Sequence, residues 1–270
     1  MTLSLLGVRL DNLTQSAALI QAADFLQGKE QRTVFTPNPE MLVKADGDPY
    51  FKKVLNSSNL NICDGFGLRL LSGFSLQRLT GVDFMLALCR LAEEKGKLIY
   101  LIGSGRDDVV KKTAERLQKK FPKLKIAGYD KGPVINEKLQ FDGSASTIGQ
   151  YNNSGLEINL NDNTMLIEKI KSAVPDILFV AFGMGKQEKW IYENASHLTS
   201  VKIAVGVGGA FDYISGNVPR APLLLRKIGL EWAYRLVKQP QRLKRIWRAA
   251  VVFPFLIFKT RLTRTGHVER

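Results

Sequence analysis

The chain has 270 residues, of which 45% are hydrophobic, and a formal net charge of +14. This length and apolar content allow one large or two small globular domains with a buried core, which excludes a disordered or fibrous protein. The two cysteines, Cys63 and Cys89, lie in apolar surroundings with no CxxC pair and no partner histidines, so neither a disulfide framework nor a structural zinc site is implied, and a reducing cytoplasm fits best.

The order of apolar and amphipathic segments predicts the fold class. The N-terminus lacks a basic region and a long apolar core, so we predict a first strand there and no export signal. The other predicted strands are 33–35, 60–63, 98–103, 125–128, 176–183 and 202–208. The predicted helices are 13–27, 84–95, 106–120, 163–173 and 186–197. This alternation predicts an α/β protein with a doubly wound, mostly parallel, Rossmann-like sheet.

The segment T-P-N-P-E-M-L (36–42) follows the strand at 33–35. Two prolines restrict its backbone, so Thr36 and Asn38 present a hydroxyl and an amide at the C-terminal end of a strand, which suits the binding of sugar hydroxyls. The alternative is a rigid turn in which Asn38 caps a helix that begins at Pro39. This segment alone leaves both interpretations open.

Asp64 comes directly after the apolar run L-N-I-C (60–63). Spacing alone favours a turn aspartate that bonds its own backbone before Gly65. The position after a strand favours chemistry, because Thr36, Asn38 and Asp64 would then face one crevice. In the following Q-R-L-T-G-V-D-F segment (77–84), Arg78 suits an anionic or sugar group, and a neighbouring Thr or Asp suits a helix N-cap.

Two glycine-rich strand ends are candidates for binding a nucleotide. L-I-G-S-G-R-D-D-V (101–109) lacks the third glycine of a dinucleotide fingerprint, yet Gly103 and Gly105 open a helix whose N–H groups suit a diphosphate. V-G-V-G-G-A-F-D-Y-I-S-G (205–216) is the second, where glycines allow close approach to the backbone. The candidate binding set also contains Tyr129, Gly208, Gly209 and Asp212.

The sequence offers little for a metal, because its two histidines, His197 and His267, lie far apart. Asp46-Gly47-Asp48 imitates a D-x-D metal motif, but Asp48 before Pro49 is better explained as a helix N-cap. We predict no metal and no cofactor. The Asn-, Ser- and Gly-rich stretch 136–164 predicts an exposed loop, or a hairpin with its tip at 153–155.

The C-terminal segment is strongly basic. From Arg220 to Arg270 there are thirteen Lys or Arg and two Glu, a net charge of +11 that calls for a phospholipid surface, a nucleic acid or a diphosphate as partner. Its apolar run 249–258 is too short to span a bilayer, so we favour insertion into an anionic membrane surface. The alternative is a helix that packs Trp247 and Phe253 onto its own domain. We expect a catalytic domain over 1–218 and a membrane-associating helical appendage over 219–270.

Six motifs occur together in a fixed order. They are T-P-N-P-E (36–40), D-G-x-G (64–67), R-L-T-G-V-D (78–83), F-G-x-x-K-Q-E-K-W-I (182–191), V-G-V-G-G-A-F-D-Y-I-S-G (205–216) and P-R-A-P with G-L-E-W-x-Y-R-L (219–236). In this combination, over nearly the whole length, the chain resembles the WecG/TagA/CpsF family, glycosyltransferase family 26.

The resemblance implies a peripheral enzyme on the cytoplasmic face of the membrane that works by inversion and without a metal. It would move a sugar, often N-acetylmannosamine or its uronic acid, from a UDP donor to a polyprenyl-diphosphate-linked sugar in cell-envelope polysaccharide or teichoic acid synthesis. It also implies site roles. Asp64 would be the general base, Thr36 and Asn38 would line the sugar site, and Arg78 and Gln187 would contact the donor. The basic appendage would dock on the membrane and close over the active site, and its Arg220, Arg226 and Arg235 would meet the UDP diphosphate.

The chain departs from the family pattern in two places. Met184-Gly185 stands where relatives often have a proline before K-Q-E, and the polar stretch 136–164 is longer than usual. The first departure leaves Gln187 intact, and the second leaves the acceptor preference open. The sequence does not fix the oligomeric state. The glycine loops also suit a nicotinamide-dependent oxidoreductase, although the fingerprint is incomplete. The pI near 9.8 suits a nucleic-acid binder, but no RNP, helix-turn-helix or finger pattern accompanies the charge, so we predict no nucleic-acid partner.

Overall fold

The computed structural model describes residues 2–103, 105–137 and 155–265. The chain forms two compact units, each assembled from separate segments. Unit 1 comprises Met1–Ala18, Thr36–Thr80 and Pro219–Arg270, and unit 2 comprises Leu19–Phe35 and Gly81–Val218. One boundary between them falls after Val218, where the sequence changes to its basic C-terminal segment. The expected division of labour between a catalytic domain and a membrane-associating appendage stays a prediction.

Strands and helices alternate along most of the chain. The strands are β1 (Thr2–Leu5), β2 (Val8–Asp11), β3 (Arg32–Phe35), β4 (Leu60–Asn61), β5 (Leu98–Gly103), β6 (Lys125–Asp130), β7 (Ile135–Glu137), β8 (Leu156–Ile158), β9 (Ile177–Ala181) and β10 (Ile203–Gly206). The helices are α1 (Gln15–Gln27), α2 (Pro39–Gly47), α3 (Pro49–Ser57), α4 (Phe66–Leu71), α5 (Gly81–Glu94), α6 (Asp107–Lys120), α7 (Leu160–Ala173), α8 (Lys186–Asn194), α9 (Ala210–Ile214), α10 (Leu223–Lys227), α11 (Glu231–Lys238), α12 (Leu243–Trp247) and α13 (Phe253–Thr265). A π-helical turn, Arg248–Val252, joins the last two.

Unit 2 is built on five parallel strands in the order β3-β10-β9-β5-β6. β9 and β10 are buried along their whole length, as is typical of parallel strands covered by helices. The strand order reverses at β5, because β6 follows it on one side and β9 lies on the other. Open α/β sheets bind ligands beyond the carboxyl ends of strands at such a switch point. The predicted α/β class with a parallel sheet is confirmed.

For the stretch 136–164 the hairpin interpretation is confirmed in the residues that the structure describes, whereas its last residues, from Leu160, are helical and not part of a loop. β7 and β8 form an antiparallel hairpin that buries Ile135 and Leu156, and residues 138–154 between them lie outside the described part of the chain, as does most of the expected tip at 153–155. Helix α7 then begins at Leu160, because the Asn159 side chain accepts hydrogen bonds from the N–H groups of Asn161 and Asp162.

Unit 1 opens with the antiparallel hairpin of β1 and β2, so the strand predicted at the N-terminus is confirmed. Its two turn residues, Leu6 and Gly7, have φ values of 50° and 76°, as a tight hairpin turn requires. The buried face of β2 contributes Val8 and Leu10 to a core that α3 completes with Phe51. The described strands of unit 1 are short, with at most 4 residues each.

The C-terminal helices of unit 1 are partly core and partly surface. Phe253 and Ile257 are buried, and α13 packs against α2. Trp247 is 60% exposed and Phe255 is 65% exposed. The expectation that the segment packs onto its own domain is thus right for Phe253 and wrong for Trp247. In the described ranges, no helix combines the length and the apolar character that a membrane crossing needs.

Candidate functional site

Asp64 lies beside the T-P-N-P-E segment of unit 1. Its backbone N–H donates to the Pro37 carbonyl at 2.9 Å, and the preceding carbonyl, of Cys63, accepts from the N–H of Leu79 at 3.0 Å. These two hydrogen bonds hold the half-buried Asp64 between the segment that contains Thr36 and Asn38 and the segment that contains Arg78. Four residues that the sequence singled out are thereby brought together within one unit.

The two glycines of the D-G-x-G motif are explained by Pro39. Gly65 has a φ of 130°, and a Cβ added to it would lie 2.9 Å from Pro39 Cδ. A Cβ on Gly67 would lie 3.1 Å from Pro39 Cγ. The backbone after Asp64 therefore packs directly on the proline ring, and any side chain at Gly65 would force the two motifs apart.

Asn38 caps helix α2, as one of the two interpretations predicted. Its Oδ1 accepts from the Met41 N–H at 3.0 Å, and Pro39 follows at the first helical position. This cap uses the amide oxygen and leaves the Nδ2 donor out of the bond. Thr36 is only 7% exposed. Contact of either side chain with a sugar stays a prediction.

Arg78 lies in an ionic network with the C-terminal segment of unit 1. Its Nη2 is 2.9 Å from Glu231 Oε2, and its Nη1 donates to the Arg226 carbonyl at 2.8 Å. Arg220 reaches the same glutamate, with Nε 3.7 Å from Oε1, and its Nη2 donates to Thr80 Oγ1 at 3.2 Å. Glu231 therefore bridges two arginines that the sequence assigned to an anionic donor, and donor contact by either stays a prediction.

Several guanidinium groups of unit 1 carry buried donors. Within the described ranges, the Nε atoms of Arg69, Arg78 and Arg226 are buried and make no hydrogen bond. A buried donor without an acceptor is costly, and an anionic ligand would supply acceptors. Arg235 lies on α11, where its Nε is 3.4 Å from Gln239 Oε1. The cluster suits an anion, and the contact of these arginines with a diphosphate stays a prediction.

The charges around Asp64 also act on its neighbour Cys63. Burial, and secondarily the Asp64 carboxylate, raise the pKa of the Cys63 thiol to about 12, while Arg78 and Arg69 act in the opposite direction. The thiol is therefore neutral at physiological pH and unsuited to act as a nucleophile. The role of Asp64 as the general base stays a prediction.

The glycine turns of unit 2 follow the carboxyl ends of β5 and β10. Gly103 has a φ of 116° and lies against β9, where an added Cβ would be 2.6 Å from the carbonyl carbon of Ala181. Gly105 and Gly208 have φ values of 66° and 53°, and a Cβ on either would meet no described atom within 4 Å. Gly103 is thus required for packing, whereas the other two leave open space beside the backbone, which suits a ligand.

Gln187 and Glu188 form a buried pair at the start of α8. Gln187 is 2% exposed and Glu188 is fully buried. Gln187 Oε1 accepts from the Gly208 N–H at 2.9 Å, and its Nε2 donates to Glu188 Oε1 at 2.7 Å. Glu188 Oε2 accepts from the Gly185 N–H at 2.7 Å. Gln187 therefore holds the glycine turn after β10, and its predicted direct contact with the donor stays a prediction.

The remaining predicted residues of unit 2 lie at the same sheet edge or nearby. Tyr129, on β6, is 45% exposed. Gly209 precedes α9, and Asp212 on that helix has Oδ1 3.4 Å from Asn217 Nδ2. Their roles in binding stay predictions.

The D-x-D segment is structural. Asp48 Oδ1 accepts from the Phe51 N–H at 2.9 Å, which confirms the N-cap of α3, and Asp46 pairs with Lys52 at 3.6 Å. Within residues 2–103, 105–137 and 155–265, no three His, Cys, Asp or Glu side chains are grouped as a metal site would need.

Sequence reasoning gave no role to three glutamates, two in unit 1 and one in unit 2, that hold candidate site residues or their neighbours. Glu40 is 8% exposed, and Arg245 Nε lies 2.9 Å from each of its carboxylate oxygens. Glu188 and Glu231 hold the networks described above. A usable signal existed for Glu231, since it is one of only two acids in a segment of thirteen cations. Such an isolated acid is expected to be paired.

Comparison with known proteins gives one family and several relatives that share one name. The model of the "Glycosyl transferase WecG/TagA/CpsF family" matches residues 3–267. A protein of Bacillus subtilis (strain 168) is 34% identical over 226 residues, which cover 82% of this chain and 77% of the relative. A protein of Bacillus spizizenii is 33% identical over 85% of this chain and 79% of the relative, and one of Staphylococcus aureus (strain MW2) is 26% identical over 95% and 92%. All three are named N-acetylglucosaminyldiphosphoundecaprenol N-acetyl-beta-D-mannosaminyltransferase.

Proposed function

Because the chain belongs to the glycosyl transferase WecG/TagA/CpsF family, we propose that it moves N-acetylmannosamine, its uronic acid or a related hexose from UDP to a polyprenyl-diphosphate-linked sugar, with inversion. The names of the relatives support a lipid-diphosphate acceptor of the GlcNAc-diphosphoundecaprenol type. The product would enter a cell-surface polysaccharide or teichoic acid. The alternative of a nicotinamide-dependent oxidoreductase finds no support in the family match.

The observation that carries this proposal is the position of Asp64. Its half-buried carboxylate follows the short strand β4, and its backbone is bonded to Pro37, next to the capped start of α2. Gly65 and Gly67 pack on Pro39, so the backbone that carries Asp64 has a fixed relation to the start of α2. A fixed and partly exposed acid at a strand end, beside hydroxyl and amide groups, supports proton transfer on a sugar substrate.

In the proposed reaction, a hydroxyl of the acceptor sugar attacks the anomeric carbon of the donor from the face opposite UDP. The new C–O bond forms as the bond to the diphosphate oxygen breaks, and the electron pair leaves with UDP. The hydroxyl proton goes to the Asp64 carboxylate. A well-placed general base contributes about 10²–10⁴-fold to such a rate.

Charge on the leaving diphosphate needs a counter-charge. We assign this role to the arginines of the C-terminal segment, Arg220, Arg226 and Arg235. The buried Nε donor of Arg226 supports the assignment, since fixed donors stabilise a developing anion at little reorganisation cost. Arg78 would support the cluster through its bonds to the Arg226 carbonyl and Glu231.

A polyprenyl acceptor exists only in a bilayer, so the enzyme must reach a membrane surface. Between Leu223 and Phe258, eleven large apolar side chains are exposed, among them Trp232, Trp247 and Phe255, in a segment of high positive charge. Exposed apolar groups beside cations support peripheral binding to an anionic, cytoplasmic membrane face.

The test compares the wild-type protein with Asp64→Asn, measuring UDP release from UDP-N-acetylmannosamine with a lipid-diphosphate-GlcNAc analogue. We expect turnover to fall by about 10²–10⁴-fold, because the amide cannot accept the proton, while UDP affinity measured by calorimetry stays unchanged. A scan of other UDP-sugars identifies the donor.

Asp46→Asn is the matched control, since it removes a carboxylate of the same unit that lies on the α2 surface and pairs with Lys52. It should retain activity. Asp64→Asn with near-normal turnover would remove the base assignment, and a wild-type protein that releases no UDP from any UDP-sugar would contradict the proposed reaction.

A further inference from the structure

We propose that Glu188 is a positioning residue. It would fix the amide orientation of Gln187, and through it the shape of the turn Gly206–Gly209, for binding the nucleotide of the donor. The inference rests on the proposed function, because it assumes a nucleotide donor. It adds a role for the acid of the K-Q-E-K-W motif, which does not itself need to touch the ligand.

The pair is isolated from solvent. Glu188 is fully buried and Gln187 is 2% exposed, so hydrogen bonds between them are not exchanged for bonds to water. In such surroundings an unmatched donor or acceptor costs more than a hydrogen bond gains in water. The orientation of every group in the network is therefore tightly constrained.

The donors and acceptors of Gln187, Glu188 and the two glycine N–H groups allow one hydrogen-bond arrangement. The Gly208 N–H can only donate, so the Gln187 oxygen must face it, as it does at 2.9 Å. The Gln187 Nε2 group must then face an acceptor, and Glu188 Oε1 lies 2.7 Å away. Glu188 Oε2 is used at the other end by the Gly185 N–H at 2.7 Å. A reversed amide would create one donor–donor and one acceptor–acceptor contact.

The network also covers the end of β10. A Cβ on Gly206 would lie 2.9 Å from Gln187 Nε2 and 3.2 Å from Glu188 Oε1. The two side chains thus lie directly over Gly206 and bond to Gly208, while Glu188 holds the turn after β9 through Gly185. One buried chain of hydrogen bonds therefore joins the turns that follow the neighbouring parallel strands β9 and β10. Successive backbone N–H groups in such turns are suited to bind anions.

An exchange of the two side chains gives a sharp test. In Glu188→Gln, residue 188 keeps one acceptor where two are needed, so one donor–donor contact must arise. In Gln187→Glu, two carboxylate oxygens face each other. In the double variant Gln187→Glu/Glu188→Gln the three hydrogen bonds described above return: the carboxylate at 187 accepts from Gly208 N–H and from the new amide, whose oxygen accepts from Gly185 N–H.

The experiment measures the UDP affinity of the four full-length proteins by calorimetry, at a temperature at which thermal scans without nucleotide show all of them folded. We expect each single substitution to weaken UDP binding by about 5- to 100-fold, from the cost of one unmatched buried group. The double variant should lie within about threefold of the wild type. The KM for the UDP-sugar should follow the UDP affinity, whereas the KM for the lipid acceptor should not change.

Glu193→Gln, which makes the same change of charge on the same helix, is the matched control and should bind UDP normally. If a single variant does not fold, Gly206→Ala takes its place, because its Cβ pushes the Gln187 amide away without altering either polar side chain. It should lose UDP affinity as well.

The outcomes separate the two proposals. A wild-type protein that binds no UDP overturns both the nucleotide donor and the positioning role. A wild-type protein that binds UDP, with single variants or Gly206→Ala at wild-type affinity, overturns the positioning role alone. The positioning role is also overturned if the double variant loses as much UDP affinity as the two single variants lose together.

Discussion

The two units hold their candidate site residues by different forces. In unit 2 the glycine turns are fixed by short, buried hydrogen bonds, such as Gln187 to Gly208 at 2.9 Å. In unit 1 the C-terminal segment is held by ion pairs, with Glu231 2.9 Å from Arg78 and Glu40 2.9 Å from Arg245, whose side chain is 42% exposed. Salt screens exposed pairs much more than buried hydrogen bonds. The comparison predicts that the contacts of unit 1, above all the exposed Glu40–Arg245 pair, are more sensitive to ionic strength than those of unit 2.

The hydrophobic cores of the two units also differ, and the core of unit 1 is the less extensive one. Unit 2 has a five-stranded sheet whose central strands are fully buried. Unit 1 has only short strands, and it completes its core with Phe253 and Ile257 from the far end of the chain. Removing residues 219–270 would therefore expose the core of unit 1, and point substitutions are the better tools.

The largest effect on stability is expected for Phe253→Ala. Phe253 is fully buried in unit 1, so its loss should lower the free energy of unfolding in urea by about 3–5 kcal/mol. Phe255→Ala is the matched control two residues away, where the side chain is 65% exposed, and it should leave stability nearly unchanged.

The same two variants distinguish a residue that packs in the core from a residue that we propose to contact the membrane. Phe255→Ala should weaken binding to anionic liposomes by about tenfold, because an inserted aromatic side chain contributes roughly 1.5 kcal/mol or more. Full liposome binding by this variant would count against the membrane role of α13, and a stable Phe253→Ala protein would contradict the packing of unit 1.

In unit 2 we compare the free energy of unfolding of Gly103→Ala with that of Gly208→Ala. At Gly103 a Cβ meets the β9 backbone at 2.6 Å and φ is 116°, so we expect a loss of about 2–4 kcal/mol in thermal or urea unfolding. At Gly208 only the φ of 53° is unfavourable, and the expected loss is about 1–2 kcal/mol. Equal losses would show that packing on Ala181 is not what requires a glycine after β5.

The smallest effect is expected for Glu231→Gln, and it should depend on salt. The substitution leaves Arg78 and Arg220 without their shared counter-charge, at side chains that are 17–19% exposed. Stability should fall by about 1–2 kcal/mol at low salt and by less as the ionic strength rises. Glu168→Gln, which breaks an exposed pair with Lys171, should cost less than about 0.5 kcal/mol. A salt-independent loss in Glu231→Gln would contradict the ionic account of unit 1.

Much of the fold could be predicted because its signals are local. Strand β5 has the predicted bounds, 98–103, and helix α6 begins one residue after its predicted start. The predicted helix start and the predicted side-chain packing were wrong where a single residue determined the local structure. Asn159 caps α7 and ends the polar stretch early, and Phe253 turns inward while Trp247, also apolar and aromatic, faces solvent. Apolar character alone does not tell which face of a helix meets a core.

The sequence by itself determined the alternation of strands and helices, the order of the family motifs and the placing of Asp64 and the glycines at strand ends, because periodicity and turn chemistry act over a few residues. Only the tertiary structure decided that Glu231 would bridge Arg78 and Arg220, that Glu40 would hold Arg245, and that the Gln187 amide would be locked by Glu188 over Gly206. These contacts depend on where folding places side chains from distant segments and, for Glu231 and the Gln187–Glu188 pair, on the low exposure that makes one correct pairing far better than any other.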